Sequence, residues 1–245
     1  MLFRSNTADP RWHAAAGSTA SASRWWGAST AWSKWTASAN SVATDLAIPG
    51  QLARLVGSSG EVRAAAQGWS AGSGTSTVLE GSEATRGKFQ GLLNRQPSVI
   101  HLATHVTADQ SEKSREQSFI AFSLSSSDRT PVAEVLSTTE VGGLRVPGAL
   151  VVMTGCDTGA GDAAAGAGLL GLSRAWLVAG ARGVLTTSWP TEDSGGEMFS
   201  RFYQQLARAG AAEALRLSQI EMAHSRSWRA KPLYWASYSL VGGER

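Results

Sequence analysis

Short apolar runs alternate with amphipathic stretches from about residue 58 to residue 242. The runs that predict strands are TSTVLE (75–80), SVIHLA (98–103), SFIAFSL (118–124), ALVVMT (149–154), GVLTT (183–187) and an extended segment over 234–241. Between them, the spacing of apolar residues predicts helices over 83–94, 131–140, 169–179, 196–209 and 211–224. Strands that alternate with helices are typical of parallel βαβ units, so the pattern predicts an α/β fold.

Individual residues and short runs give further detail on several of these predicted elements. The run ALVVMT is apolar almost throughout, as a central parallel strand covered on both faces requires. Ser82 is a predicted N-cap for the helix over 83–94, and Pro131 favours a helix start at 131. Residues 158–168 are rich in Gly and Ala and predict a flexible stretch. The chain shows no internal repeat of about 20 to 50 residues, which argues against a solenoid.

The first part of the chain has a different composition. It is rich in Ala, Ser and Thr and holds five of the ten tryptophans, but few aliphatic residues. We therefore predict an irregular segment over residues 1–57 and a compact domain over residues 58–245. The segment is either a loosely ordered arm or the divergent front of the domain, and it covers a sheet edge more readily than it forms a dedicated binding site.

Composition excludes several classes of protein. A single Cys among 245 residues cannot form an intramolecular disulfide or a multi-thiolate metal site, which favours a reducing compartment. Twenty-two basic against 19 acidic residues leave a net charge of only +3, too little to indicate a nucleic-acid partner. The N-terminus lacks the apolar run of a secretory signal, and no stretch approaches the ~18 apolar residues of a membrane span. We expect a soluble, cytoplasmic protein without a membrane partner.

Two reactive side chains follow predicted strands. His105 comes after SVIHLA and Cys156 after ALVVMT, and catalytic groups of open α/β sheets gather at the carboxyl ends of strands. A His about 50 positions before a Cys is the caspase-type order of a catalytic pair. The imidazole would raise the thiolate fraction of the cysteine, and the glycines beside Cys156 would permit a tight turn. The amides of Val106 and Cys156 are candidate donors to an oxyanion.

Simpler interpretations stand beside this one. A cysteine at the end of an apolar strand is often an inert hydrophobe, and His101 is better explained as a hydrogen-bonded core histidine. Asp157 and Asp162 lack a third ligand of suitable spacing, so no metal site is predicted. The passage GAGDAAAGAGLLG lacks the Lys-Ser/Thr of a phosphate-binding loop, so we predict no nucleotide cofactor.

Five ordered blocks carry a resemblance to a known family. They are VIHLATH (99–105), GALVVMTGCDTG (148–159), GLSRAWLVAGARGVLTTSWPTED (171–193), RFYQQL (201–206) and LYWASYSLVG (233–242). In these blocks the chain resembles the CHAT domain, a caspase-like family that often follows tetratricopeptide repeats. The resemblance extends over roughly residues 58–243 once the weaker match from EVRAAAQGW to GKF is included.

The resemblance implies a caspase-like three-layer sandwich with a mostly parallel central sheet flanked by helices. It also implies a cysteine endopeptidase without metal or organic cofactor, in which His105 is the general base and Cys156 the nucleophile that forms an acyl-enzyme. Asp157 and Asp193 lie on loops that would favour a basic substrate side chain before the cleaved bond. They are equally well explained as solvated or backbone-capping acids.

Two departures from the family leave a second hypothesis open. The family usually has Gly after the His, and here Val106 takes that place, which would be strained if the turn needs a positive φ. The Trp-rich front differs from the opening strands of the family, and no tetratricopeptide array is present in these 245 residues. A repeat partner or regulator could be supplied by another chain. The alternative is therefore a catalytically inactive, caspase-like module that binds a protein partner.

Overall fold

We analysed a computed structural model that describes residues 2–3, 55, 57–72, 74–108, 118–123, 135–154, 164–189 and 196–242. In chain order its strands are β1 (Leu2–Phe3), β2 (Val78–Leu79), β3 (Val99–Leu102), β4 (Val106–Ala108), β5 (Ser118–Ala121), β6 (Val135–Ser137), β7 (Leu150–Met153), β8 (Gly183–Thr187) and β9 (Tyr238–Gly242). Its helices are α1 (Ser58–Ala71), α2 (Arg86–Leu93), α3 (Thr138–Gly142), α4 (Ala164–Val178), α5 (Gly196–Leu206) and α6 (Ala211–Ala223). The tryptophans before residue 55 lie outside this set, so the division at residues 57 and 58 stays a prediction.

The strands form two sheets. The larger has the order β2-β1-β3-β7-β8-β9, in which every neighbouring pair is parallel except the antiparallel pair β8 and β9. The smaller is antiparallel, with the order β4-β5-β6. The chain passes directly from β3 of the large sheet into β4 of the small one, with three residues between them.

Helices cover both faces of the large sheet because its central strands are apolar on both sides. On β3 and β7, Ile100 and Val151 belong to a cluster with residues of α2, α3 and α4. Their neighbours Val99 and Val152 belong to a second cluster, with residues of α1, α5 and α6. Alternate side chains of a strand point to opposite faces, so the two clusters define a helix–sheet–helix sandwich. The predicted three-layer fold with a mostly parallel sheet is confirmed.

Several local predictions need correction. The helix over 131–140 is wrong, since residues 135–137 form strand β6 and Ser137 caps the short helix α3 through a reciprocal pair of bonds with Glu140. Thr85, rather than Ser82, caps α2 by accepting a hydrogen bond from the Lys88 amide. Residues 164–168, predicted as flexible, form the start of α4. Small residues are compatible with a helix when packing supports it.

Candidate active site

The strands that precede the two candidate residues, β3 and β7, are paired in register. The strands are hydrogen-bonded parallel neighbours, and Leu102 pairs with Met153 at their carboxyl ends. The ladder runs one residue further, because the Thr154 amide donates to the Leu102 carbonyl at 3.1 Å. His105 and Cys156 each come three residues after that last pair. Adjacent strands lie about 4.8 Å apart, so β3 and β7 end side by side at the carboxyl edge of the sheet.

The main chain at His105 is fixed where the two sheets meet. Thr104, just before it, donates its hydroxyl to the Ala121 carbonyl at 2.7 Å. The Ala121 amide donates in turn to the His105 carbonyl at 3.0 Å. The His105 side chain is fully buried. Two bonds to one residue of β5 therefore hold this histidine in a defined position beside the carboxyl edge of the large sheet.

Val106 begins the edge strand β4 and has an extended backbone. Among the described residues, Gln96 is the one non-glycine residue with a positive φ, so the strain considered for Val106 is not present. Val106 lies opposite Ile120, and the bond between Ala121 and His105 makes that a non-hydrogen-bonded pair. The Val106 amide therefore points away from β5, toward the open side of the small sheet.

His101 is a hydrogen-bonded core residue, as the sequence predicted. Its Nδ1 lies 2.9 Å from the Tyr203 hydroxyl, and its Nε2 lies 2.8 Å from Glu61 Oε1. Thr154 donates its hydroxyl to the same Glu61 oxygen. All four side chains are buried. We call this set, Glu61, His101, Thr154 and Tyr203, the buried polar network.

Sequence reasoning did not identify three members of that network. Glu61 lies forty positions from His101, and Tyr203 lies more than a hundred positions away. The usable signal was an acid on the apolar face of an amphipathic helix, since Val62 and Ala65 beside Glu61 are buried in the core. A carboxylate in such a place needs a polar partner on the element against which the helix packs.

The remaining predicted site residues are not all described. Cys156, Asp157 and Asp193 lie outside the described residues, and the predictions for them stay predictions. At the end of β8, the strand next to β7, the side chain of Trp189 is 38% exposed. His224 is exposed at the C-terminal end of α6, with its Nδ1 3.0 Å from the Ile220 carbonyl.

The described residues contain no cluster of side chains of the kind that usually binds a metal ion. Within these ranges no three His, Cys, Asp or Glu side chains are grouped closely enough to hold a metal. No helix in the described part of the chain is both long and apolar enough to cross a membrane.

A mostly parallel sheet between two helical layers, with His and Cys positions following adjacent strands, defines a caspase-like α/β sandwich. Residues 7–243 match the family model described as CHAT domain, so the chain belongs to the CHAT domain family. That match confirms the family indicated by the five sequence blocks.

Two curated proteins are similar to this chain. It is 31% identical over 199 residues to Tetratricopeptide repeat protein 28 of Homo sapiens, and 30% identical over 199 residues to the protein of that name of Mus musculus. Each alignment covers 68% of this chain but only 8% of the relative. The chain thus corresponds to a small part of those proteins.

Proposed function

We propose that this CHAT domain is a cysteine endopeptidase in which His105 is the general base and Cys156 the nucleophile. The observation that carries the proposal is the register of β3 and β7. Leu102 pairs with Met153, and each candidate residue follows its strand by the same number of positions. These equal offsets from neighbouring parallel strands support the pair, because a dyad requires its His and its Cys at the same edge of the sheet.

The chemistry proceeds by acyl transfer. His105 accepts the thiol proton, and the Cys156 sulfur attacks the carbonyl carbon of the cleaved peptide bond to form a tetrahedral intermediate. Collapse breaks the C–N bond, His105 returns the proton to the leaving amine, and a thioester remains on Cys156. A water molecule, deprotonated by His105, then hydrolyses the thioester and releases the free thiol.

The oxyanion of that intermediate needs hydrogen-bond donors. We assign this role to the backbone amides of Val106 and Cys156. The extended backbone of Val106 supports the assignment, because its amide is directed away from the β5 ladder and is not consumed by it. Val106 is thus compatible with catalysis in the place where the family usually has Gly.

Substrate and regulation belong to the same proposal. Asp157 and Asp193 would bind a basic side chain before the cleaved bond of a protein or peptide substrate. The named relatives are tetratricopeptide repeat proteins, which supports a repeat array as the partner that regulates this domain. A thiol nucleophile must stay reduced, so a cytoplasmic location suits the proposed chemistry.

Cleavage of a peptide library tests the proposal directly. The purified chain should cut peptides, with a preference for Arg or Lys before the cleaved bond. Cys156→Ala and His105→Ala should abolish cleavage with unchanged circular dichroism, and His224→Ala, which alters a surface histidine, serves as the matched control. Cleavage retained by Cys156→Ala would rule the enzyme out.

Thiol labelling distinguishes the enzyme from the inactive module. Because the chain has one Cys, iodoacetamide reports on Cys156 alone. An activated thiol should show an apparent pKa well below the ordinary value of about 8.5, and His105→Ala should return it toward that value. A labelling profile that is ordinary in both proteins, together with no cleavage, would favour the inactive partner-binding module.

A further inference from the structure

The buried polar network joins four elements inside an apolar layer. Glu61 comes from the first turn of α1, His101 from β3, Thr154 from the end of β7 and Tyr203 from α5. The ring of Phe199 packs edge-on against His101, with 5.0 Å between centroids. A polar group in such surroundings must have its hydrogen bonds satisfied, and here each member has a partner in another element.

The hydrogen bonds of the buried polar network fit one consistent assignment of donors and acceptors. Burial, and after it the negative charge of Glu61, raise the pKa of Tyr203 well above its ordinary value of 10.0, so the phenol keeps its proton and donates to His101 Nδ1. With Nδ1 as the acceptor, we assign the ring proton of His101 to Nε2, which donates to Glu61 Oε1. The Thr154 hydroxyl donates to that same oxygen. The tautomer follows from this pattern of donors and acceptors.

Glu61 acts as a bridge between the two strands. One carboxylate oxygen contacts His101 on β3 and Thr154 at the end of β7. His101 pairs with Val152 in the sheet register, so Thr154, two positions further along the chain, is the diagonal neighbour of His101 on the same face of the sheet. The side-chain bonds therefore fix the relative position of the strands at the carboxyl edge, just before the segments that carry the candidate dyad.

Stability alone does not explain a network of this kind. Replacement of buried polar groups by apolar ones of similar volume is often neutral or stabilising, while loss of one partner is costly. Directional bonds instead define a unique arrangement of the elements that they join. In this chain they join His101, four residues before His105, to Thr154, two residues before Cys156.

We propose that Glu61 is a positioning residue for the His105 and Cys156 pair, acting through its bonds to His101 and Thr154 at the ends of β3 and β7. This inference rests on the proposed peptidase function. It adds that α1, an element far from the dyad in sequence, sets the geometry in which base and nucleophile meet. Misplacement of reacting groups by about 1 Å can lower a rate by ~100-fold, so a small shift of one strand end has a large effect.

Thr154 offers the sharpest pair of variants. Thr154→Val keeps the branched shape and removes the hydroxyl that bonds Glu61, whereas Thr154→Ser restores a hydroxyl. We expect Thr154→Val to raise the apparent thiol pKa in iodoacetamide labelling and to lower kcat by about tenfold or more with little change in KM. Thr154→Ser should recover most of both. Glu61→Met, which removes the shared acceptor oxygen at similar side-chain length, should resemble Thr154→Val. Glu213→Gln, at an exposed ion pair with Arg216, should match the wild type.

The outcomes separate this inference from the proposed function. If His105→Ala alters thiol labelling and Thr154→Val does not, the dyad stands and the positioning role is wrong. If His105→Ala leaves labelling unchanged, the peptidase proposal itself fails. A fall in melting temperature with wild-type labelling and kcat would show a purely structural network, and so would failure of both Glu61→Met and Thr154→Val to fold.

Discussion

At the scale of single residues, the environment of the Tyr203 side chain leads to a prediction about stability. Its hydroxyl donates to His101 Nδ1 at 2.9 Å, and both side chains are buried. Tyr203→Phe removes the donor and leaves a buried ring nitrogen without that bond, so we expect a loss of about 1–3 kcal/mol in the free energy of unfolding. Urea denaturation at pH 8 measures it. Tyr234→Phe, on the half-buried turn near Trp228, is the matched control and should cost less.

The same variant makes a prediction about alkaline pH. The pKa of Tyr203 is raised above 10.0 in the folded state, chiefly by burial and then by the charge of Glu61. The unfolded chain therefore releases this proton first as the pH rises, and the stability that the protonated phenol contributes is lost above about pH 10. The penalty of Tyr203→Phe should be full between pH 7 and 9 and shrink above pH 10. A penalty that stays constant to pH 11 would contradict the assigned protonation state.

Residue-level prediction depends on local signals. His105 and Cys156 stand out because each follows an apolar run, and a strand end is visible in the sequence itself. His101 was expected to have partners, and it has two. Which residues those partners are depends on how α1 and α5 pack on the sheet, so Glu61 and Tyr203 could not be identified from spacing.

Among the helices, α1 and α5 approach each other closely at Gly68. A Cβ at Gly68 would lie 2.8 Å from the Ser200 carbonyl oxygen and 3.1 Å from Tyr203 Cβ. Gly68 lies two turns after Glu61, on the same side of α1. We expect Gly68→Ala to cost about 1–3 kcal/mol through steric overlap, although Ala favours a helix by ~1 kcal/mol.

Gly60 supplies the control on the same helix. A Cβ there would meet no atom within 4 Å. Gly60→Ala should therefore stabilise the protein by up to about 1 kcal/mol through helix propensity and a less flexible unfolded chain. Urea denaturation of both variants gives the comparison. Equal effects of the two substitutions would mean that the close approach of the helices does not matter.

Strands and helices could be predicted from the sequence where their own residues, rather than long-range contacts, determine the local structure. The run around β7 is apolar in every position, because α-helices cover both faces of that strand, and it was found almost to its bounds. Strand β6 was read as a helix, because Pro131 suggested a helix start six residues before the actual cap, Ser137. The small sheet is built by pairing with β5, a long-range contact that no local pattern reports.

At the scale of the whole molecule, residues near the start of the chain contribute an internal strand to the large sheet. Strand β1 (Leu2–Phe3) is parallel to both β2 and β3 and lies between them. More than fifty residues separate it from α1, so the composition of residues 1–57 gave no indication of this pairing. Its place beside β3 connects the first residues of the chain to the strand that leads to His105.

Deletion of residues 2–6 tests that connection with single-residue resolution. The Leu102 carbonyl accepts a hydrogen bond from the Thr154 amide, so the backbone N–H and C=O groups of Leu102 face β7. These groups alternate in direction along a strand, so those of Ile100 also face β7 and those of His101 face β1. After the deletion, hydrogen exchange measured by NMR should accelerate at the His101 amide and stay slow at Ile100 and Leu102. Unchanged exchange at His101 would show that β1 does not protect β3. Accelerated exchange at all three would mean that the deletion unfolds the sheet rather than opening one side of it, because the bonds between β3 and β7 do not depend on β1.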